Sequence, residues 1–236
     1  MTSIHLKVVA LAVTGALVVG GATADGHATT GGTSLYGFAV GGTSLNSNLD
    51  YSGIIGGNPN TVDVELDSGF QFGLGIGKKI DKWSTSKVGV RGELELSFSN
   101  NGADGIAFSG NGPAAENGVS GGIQTGAIFA NVLADFKTGS AFTPYVGGGV
   151  GIGRVSQDLF YLPEINVSDS DTVLAAQLIA GVAYAATDTI ILTADVRHRE
   201  FFNVSSTRLN PAGANTGNIS GNYGTTSVNV GLRFSF

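Results

Sequence analysis

Residues 228–236 read VNVGLRFSF, and their alternation decides the fold. Val228, Val230, Leu232, Phe234 and Phe236 point one way and Asn229, Gly231, Arg233 and Ser235 the other, because successive strand side chains take opposite faces. A strand that is apolar on one side and carries Asn and Arg on the other suits a wall between lipid and a polar lumen. A bilayer has no water to satisfy an open sheet edge, so such strands must close into a barrel. The stretch therefore predicts the last strand of a bacterial outer-membrane β-barrel.

Upstream, a period of two yields seven more segments of about 9–11 residues, the length a tilted membrane strand needs. The first places Tyr36, Phe38 and Val40 outward and Gly37, Ala39 and Gly41 inward. The second, roughly 61–78, sends Phe70, Phe72, Leu74 and Ile76 out over Gln71, Gly73, Gly75 and Gly77, and its outward parity continues through Val62, Val64 and Leu66 as a ribbon beyond the membrane. The third puts Val88, Val90, Leu94, Leu96 and Phe98 on lipid, with Gly89, Arg91, Glu93, Glu95 and Ser97 inside. In the fourth, near 122–137, Ile128, Val132 and Phe136 face out and Phe129, Asn131, Leu133 and Asp135 in. The fifth, FTPYVGGGVGIG from Phe142, turns Val146, Val150 and Ile152 out and Tyr145 with its alternate glycines in. The sixth pairs outward Leu178, Val182 and Tyr184 with inward Gln177, Gly181 and Ala183. The seventh pairs outward Leu192, Ala194 and Val196 with inward Thr193, Asp195, Arg197 and Arg199. Eight strands is an even number, as an antiparallel bacterial barrel requires. The expected fold class is all-β, an eight-stranded antiparallel transmembrane β-barrel.

Connection lengths alternate. Lys78–Lys87, Lys137–Ala141 and Ala186–Thr189 are short, the first two lysine-bearing, and face the periplasm; the stretches near 46–60, 99–120, 157–172 and 201–224 are long and read as four surface loops. Acidic residues gather in or beside the long stretches, so the outer cap should be acidic. The amino terminus carries Lys7, an apolar run from Val8 to Val19 and then Ala22-Thr23-Ala24, a secretory signal peptide over 1–24 with an A-x-A site; Ala28 is the competing site. Residues 25–236 are then the barrel. Of 12 Lys and Arg only Lys7 lies in the leader, so 11 bases face 18 acids beyond it, a net charge of −7 that argues against a nucleic-acid partner. Zero cysteines exclude a disulfide framework, a thiolate metal site and a Cys nucleophile.

FTPYVGGGVGIG after a short turn, the Asn131 segment before it, the Arg197 strand and the VNVGLRFSF finish together resemble the opacity-protein and OmpA-like outer-membrane barrel superfamily, which includes small surface antigens. The resemblance spans about Ser34 to Phe236. It implies a surface protein of the bacterial cell outer membrane, structural or adhesive. It further implies that the terminal aromatic, with Phe234 and Leu232, forms the signal read by the barrel-assembly machinery. Val196 and His198 stand where the family often has aromatics beside the inward Arg, which thins the aromatic girdle there.

Inside the expected lumen, Arg91, Arg197, Arg199 and Arg233 balance Glu93, Glu95, Asp135 and Asp195. Buried charges are tolerated when paired and hydrogen-bonded, which points to an ion-pair network filling a narrow interior; the alternative is an ion path. The runs Gly73-x-Gly75-x-Gly77 and Gly149-x-Gly151-x-Gly153 lack the strand, turn and helix of a dinucleotide site, so no cofactor is expected. His198 is the histidine left clear of the leader region, and a hydrolase would need Ser or a carboxylate within its reach. Asp169-x-Asp171 with Glu164 lacks the glycine and closing Glu of a calcium loop, so no metal is expected. The sequence thus predicts a monomeric surface barrel whose loops contact lipopolysaccharide, host or matrix. A narrow porin-like channel is the second reading and a membrane-embedded hydrolase the third.

Overall fold

The structure, a computed structural model, describes residues 35–55, 58–109, 116–117, 119–161, 165–209 and 215–236. The expected leader with its two candidate cleavage positions, the segment 25–34 and Glu164 lie outside the described residues. The strands are β1 (Leu35–Ile55), β2 (Asn58–Leu66), β3 (Phe70–Lys79), β4 (Val88–Ser109), β5 (Glu116–Asn117), β6 (Val119–Phe136), β7 (Phe142–Tyr161), β8 (Ile165–Ala185), β9 (Ile190–Leu209) and β10 (Asn215–Ser235). One 3₁₀ turn, Asp81–Trp83, sits in the β3–β4 connection.

All pairings are antiparallel. β1 pairs with β10 on one side and with β2 and then β3 on the other, and β4 completes the pairing of β2 and β3 before passing the ladder to β6, β7, β8, β9 and β10. β2 and β3 share one wall position, so the ring of described strands closes with eight positions. Along the stretches that carry the outward apolar residues each wall strand is paired on both sides, the condition for crossing lipid.

The strands are about twice the expected length: β1 has 21 residues, β4 has 22 and β10 has 21. Most of the four stretches read as long loops is therefore strand. The reason lies in the phase of the apolar residues. On β7, Val150 and Ile152 point out, but the next outward positions are Arg154, Ser156 and Asp158 while Val155 turns in. A scan for apolar-out alternation ends the strand where the apolar set changes face, although the backbone continues.

β1 corrects the sequence reading. Tyr36, Phe38 and Val40 are buried in the lumen, and Gly37, Ala39 and Gly41 lie on the lipid side. The register explains it: Tyr36, Phe38 and Val40 lie opposite Gly77, Gly75 and Gly73, and Val40 also opposite Gly231. Directly opposed residues share a face, and a Cβ added at Gly75 would come within 2.7 Å of the Phe38 ring. Alternate glycines on two strands thus make the room that β1 fills. A second correction concerns Leu66. It is buried, not outward, because Asp67–Gly69 interrupts the strand and resets the parity before Phe70; Gly69 N–H donates to Ser44 Oγ at 2.7 Å across the break. The side chains of Val62 and Val64 lie outside the described residues.

The outward apolar belt on β10 runs from Phe236 to Val228. At about 3.3 Å per residue and a tilt of about 40°, this is roughly 20 Å, close to the band of about 25 Å that such barrels present to lipid. Phe136, Phe142, Tyr184, Phe234 and Phe236 mark its short-turn border, and Phe70 and Phe98 part of the other.

Candidate functional site

Within the belt the lumen holds a continuous polar layer. Glu95, fully buried, is its centre: Oε1 accepts from Arg197 Nη1 at 2.7 Å and Arg199 Nη2 at 2.9 Å, and Oε2 from Asn131 Nδ2 at 2.9 Å and Gln177 Nε2 at 3.0 Å. Both oxygens of this one β4 carboxylate therefore bind donors from three other wall strands, β6, β8 and β9. Arg197 turns back to Asp195 at 2.9 Å, and Asp195 also accepts from Tyr145 Oη at 2.9 Å and Asn229 Nδ2 at 3.0 Å. Arg199 reaches Gln71 Oε1 at 2.6 Å, and Gln71 in turn bonds Asn229.

Nearer the short turns, Arg91 is ion-paired to Glu93 and lies 3.0 Å from Asp135, while Tyr36 Oη donates to Glu93 at 2.8 Å. Seven of the eight charged residues predicted for the lumen thus join ion pairs. Arg233 is the exception among the described residues. Its guanidinium lies 4.9 Å from the centre of the Tyr145 ring, which also faces Arg91 at 5.0 Å. A cation over an aromatic face is attracted by the ring quadrupole, so Arg233 is held by a ring because Asp195 is already occupied. A cavity of about 10 Å³ lies in this layer among Arg91, Glu93, Tyr145, Asp195 and Arg233, about room for a single water. Arg91, which lines that cavity, buries Nη2 without a partner among the described residues, as Ser97 does its Oγ.

Above the belt a second layer is apolar: Phe129, Ile123, Val155, Phe201, Val204 and Tyr223 are buried together, Phe201 and Tyr223 stacking at 5.7 Å. The two layers touch where Arg199 lies 5.6 Å from the centre of the Phe129 ring. Charge counting could not find this layer: Phe201, Val204 and Tyr223 fall in a stretch read as a loop, and Phe129, read as inward on the fourth strand, carries no charge. Likewise the amides Gln71, Asn131, Gln177 and Asn229 were legible as inward but carry no charge to attract notice.

Three other sequence candidates fall outside the lumen. His198 faces outward at the upper border of the belt, with Nδ1 2.9 Å from Thr226 Oγ1 and Nε2 3.7 Å from Glu200. Its close hydroxyl partner is a threonine, so no Ser–His pair is formed there among the described residues. Asp169 and Asp171 each accept a backbone hydrogen bond from β9. The β8–β9 ladder lapses between Ala175↔Phe201 and Asn166↔Leu209, and in the gap Asp171 accepts from Ser205 N–H at 2.9 Å and Asp169 from Thr207 N–H at 3.2 Å. Two carboxylates stand in for missing backbone acceptors. Among the described residues no group of three His, Cys, Asp or Glu converges as a metal site.

At the carboxy end Leu232, Phe234 and Phe236 all face outward, and Phe236 N–H reaches Leu35 O at 3.4 Å, so the chain ends on the seam that closes the ring.

The family described as the outer membrane protein β-barrel domain matches residues 10–236. Outer membrane protein PagN of Salmonella typhimurium is 27% identical over 181 residues, 72% of either chain. Among solved structures, the outer membrane protein OprG from Pseudomonas aeruginosa aligns with a TM-score of 0.55 at 17% identity, over 86% of this chain and 97% of its own. The outer membrane protease OmpT from Escherichia coli aligns with a TM-score of 0.53 at 10% identity, over 90% and 99%. At such identities these two likenesses speak for the fold alone. With the closed ring, the belt and the family match over nearly the whole length, the chain belongs to the outer-membrane protein β-barrel family, in the superfamily of OmpA-like barrels, and is a protein of the bacterial outer membrane.

Proposed function

We propose that this protein is a non-conducting, non-enzymatic barrel: the membrane half anchors it and the protruding half is a contact surface for lipopolysaccharide, host or matrix. The observation that carries this reading is the filling of the lumen by two stacked layers, the cavity among Arg91, Tyr145, Asp195 and Arg233 in the polar one measuring about 10 Å³. Ions need a continuous wet path. Breaking the paired charges would leave cations unpaired in a low-dielectric interior, which favours the closed arrangement. In planar bilayers the protein should show no steady conductance, and in cells the protruding strands should carry whatever adhesion it supports. Large, stable wild-type conductance would overturn the first half of the proposal.

A narrow ion path is the second reading, favoured by the unpartnered Arg91 Nη2 beside the small cavity. The same bilayer recording separates the two. For assembly we propose that the outward terminal aromatics are the insertion signal, acting on a monomer. Phe236→Ser should impair insertion far more than Ser235→Ala, read as loss of heat-modifiable gel mobility.

A further inference from the structure

Immediately above the belt, on the outer wall of β9, β10 and β1, the barrel carries a cleft of about 600 Å³. That volume lies within the range of about 300–1,000 Å³ typical of small-molecule sites. Its existence is unexpected, since a β-wall is convex outward. Here β10 shifts register between Gly221 and Tyr223, and Asn203 on β9 takes φ +55°. Extra residues of this kind bend a strand and increase its local twist, and the notch forms at the bend.

The lining is arranged in opposed pairs on one face: Thr226 beside His198, Gly224 beside Glu200, Asn222 beside Asp50. Each is held. Asn222 Oδ1 accepts from Asn203 N–H at 3.0 Å, and His198 Nδ1 meets Thr226 Oγ1 at 2.9 Å. Glu200 lies over Gly224, where an added Cβ would come within 2.8 Å of its Oε2. Groups already held in position lose less freedom on binding, which favours affinity.

The chemistry selects the ligand. Asp50 and Glu200 present acceptors and repel phosphate or carboxylate, whereas Asn222, Asn203 and the Ser52 and Ser220 hydroxyls both donate and accept. Apolar side chains are absent from the lining, so a hydrocarbon gains nothing there. A neutral molecule dense in hydroxyls satisfies such a surface. The height agrees with this, because Val196 and Val228 at the top of the belt lie one outward position below His198 and Thr226, placing the cleft at the level of headgroup sugars.

We infer that this cleft is a saccharide-binding site for a short neutral stretch of glycan, either from lipopolysaccharide of its own membrane or from an external surface. The inference rests on reading the outer half as a contact surface, and gives that surface a place and a ligand class.

The test uses the full folded chain in detergent free of lipopolysaccharide. One arm offers neutral hexose oligosaccharides cut from the outer core of lipopolysaccharide, free of phosphate and acidic sugar; the other offers an array of neutral host-type oligosaccharides. Binding is read by saturation-transfer NMR and calorimetry. Glu200→Gln, Asn222→Ala and Gly224→Val should each weaken binding tenfold or more, while Thr172→Ala on β8 should leave it unchanged, with heat-modifiable mobility confirming that every variant is folded. Should Gly224→Val fail to fold, the isosteric Glu200→Gln still decides. Loss in the first arm names the protein's own membrane as the source, and loss in the second an external glycan. Absence of binding in both arms, binding untouched by the variants, or uptake of calcium alone would overturn the inference. None of these results bears on conductance, so the closed-barrel reading stands or falls separately.

Discussion

On β9, Val196 faces lipid and Arg197 the lumen; a few residues later Ser205 faces out and Val204 is buried inside. The same strands thus run through two regions of opposite radial chemistry. In the lower region the outside solvent is hydrocarbon, so apolar side chains go outward and the interior holds Glu95, Arg197 and Arg199 in mutual contact. In the upper region the outside is water. The outward residues become Arg154, Ser170, Thr172 and Ser220, and the interior becomes a core of Ile123, Val155, Phe201 and Tyr223 that any soluble protein would recognise. Burial follows the surrounding solvent at each height, not the strand: the hydrophobic effect drives the upper core, and the lower layer depends on every buried charge and amide finding a partner.

The strongest way to break this contrast is to attack each interior in its own terms. Glu95→Ala removes the shared partner of two buried guanidinium groups, and unfolding in lipid vesicles should show a loss of about 3–5 kcal/mol, accompanied by transient pores as Arg197 and Arg199 repel. Phe201→Ala should destabilise through a cavity by a similar amount, about 3–5 kcal/mol, with no pores, because the polar layer below is intact. Pores in both variants would mean that the layers are not independent.

A paired charge scan on β8 sharpens the border between the regions. Leu178→Lys, outward in the belt, should cost about 2–4 kcal/mol near the bilayer midplane, whereas Thr172→Lys, above it, should stay within about 0.5 kcal/mol. Equal effects in urea titrations would place the border elsewhere. The reversed face of β1 invites a smaller test. Gly77→Val drives a side chain into the Tyr36 ring, whose atoms are the nearest to an added Cβ there, and should cost about 1–3 kcal/mol by overpacking; no effect would return Tyr36 to the lipid side. Smallest is the β8–β9 gap. Asp171→Ala removes an acceptor from Ser205 N–H and should cost about 1.5 kcal/mol, seen as faster amide exchange at Ser205 with the lower ladder unaffected.

How far the sequence carried the reading depends on height in the barrel. In the lower region the pattern was legible residue by residue for β3, β4, β6 and β10, and so was the inward position of all eight charges, because a two-residue period with lipid outside leaves little choice. β1 escaped since its two alternating sets, Tyr-Phe-Val and Gly-Ala-Gly, are both apolar, and neither shows by composition which one faces lipid. Only the glycines at 73, 75, 77 and 231, brought opposite by strand pairing, decide it.

By itself the sequence determined the period, the closure, the polarity of the lower lumen and the compartment, since each follows from local alternation and from what a bilayer will not dissolve. Tertiary structure alone decided the face of β1, the continuation of the strands above the membrane, the partner of Arg233 and the cleft beside His198. Those depend on which residues lie across from one another around a closed ring, and cross-strand distance is set by register, which no single strand contains.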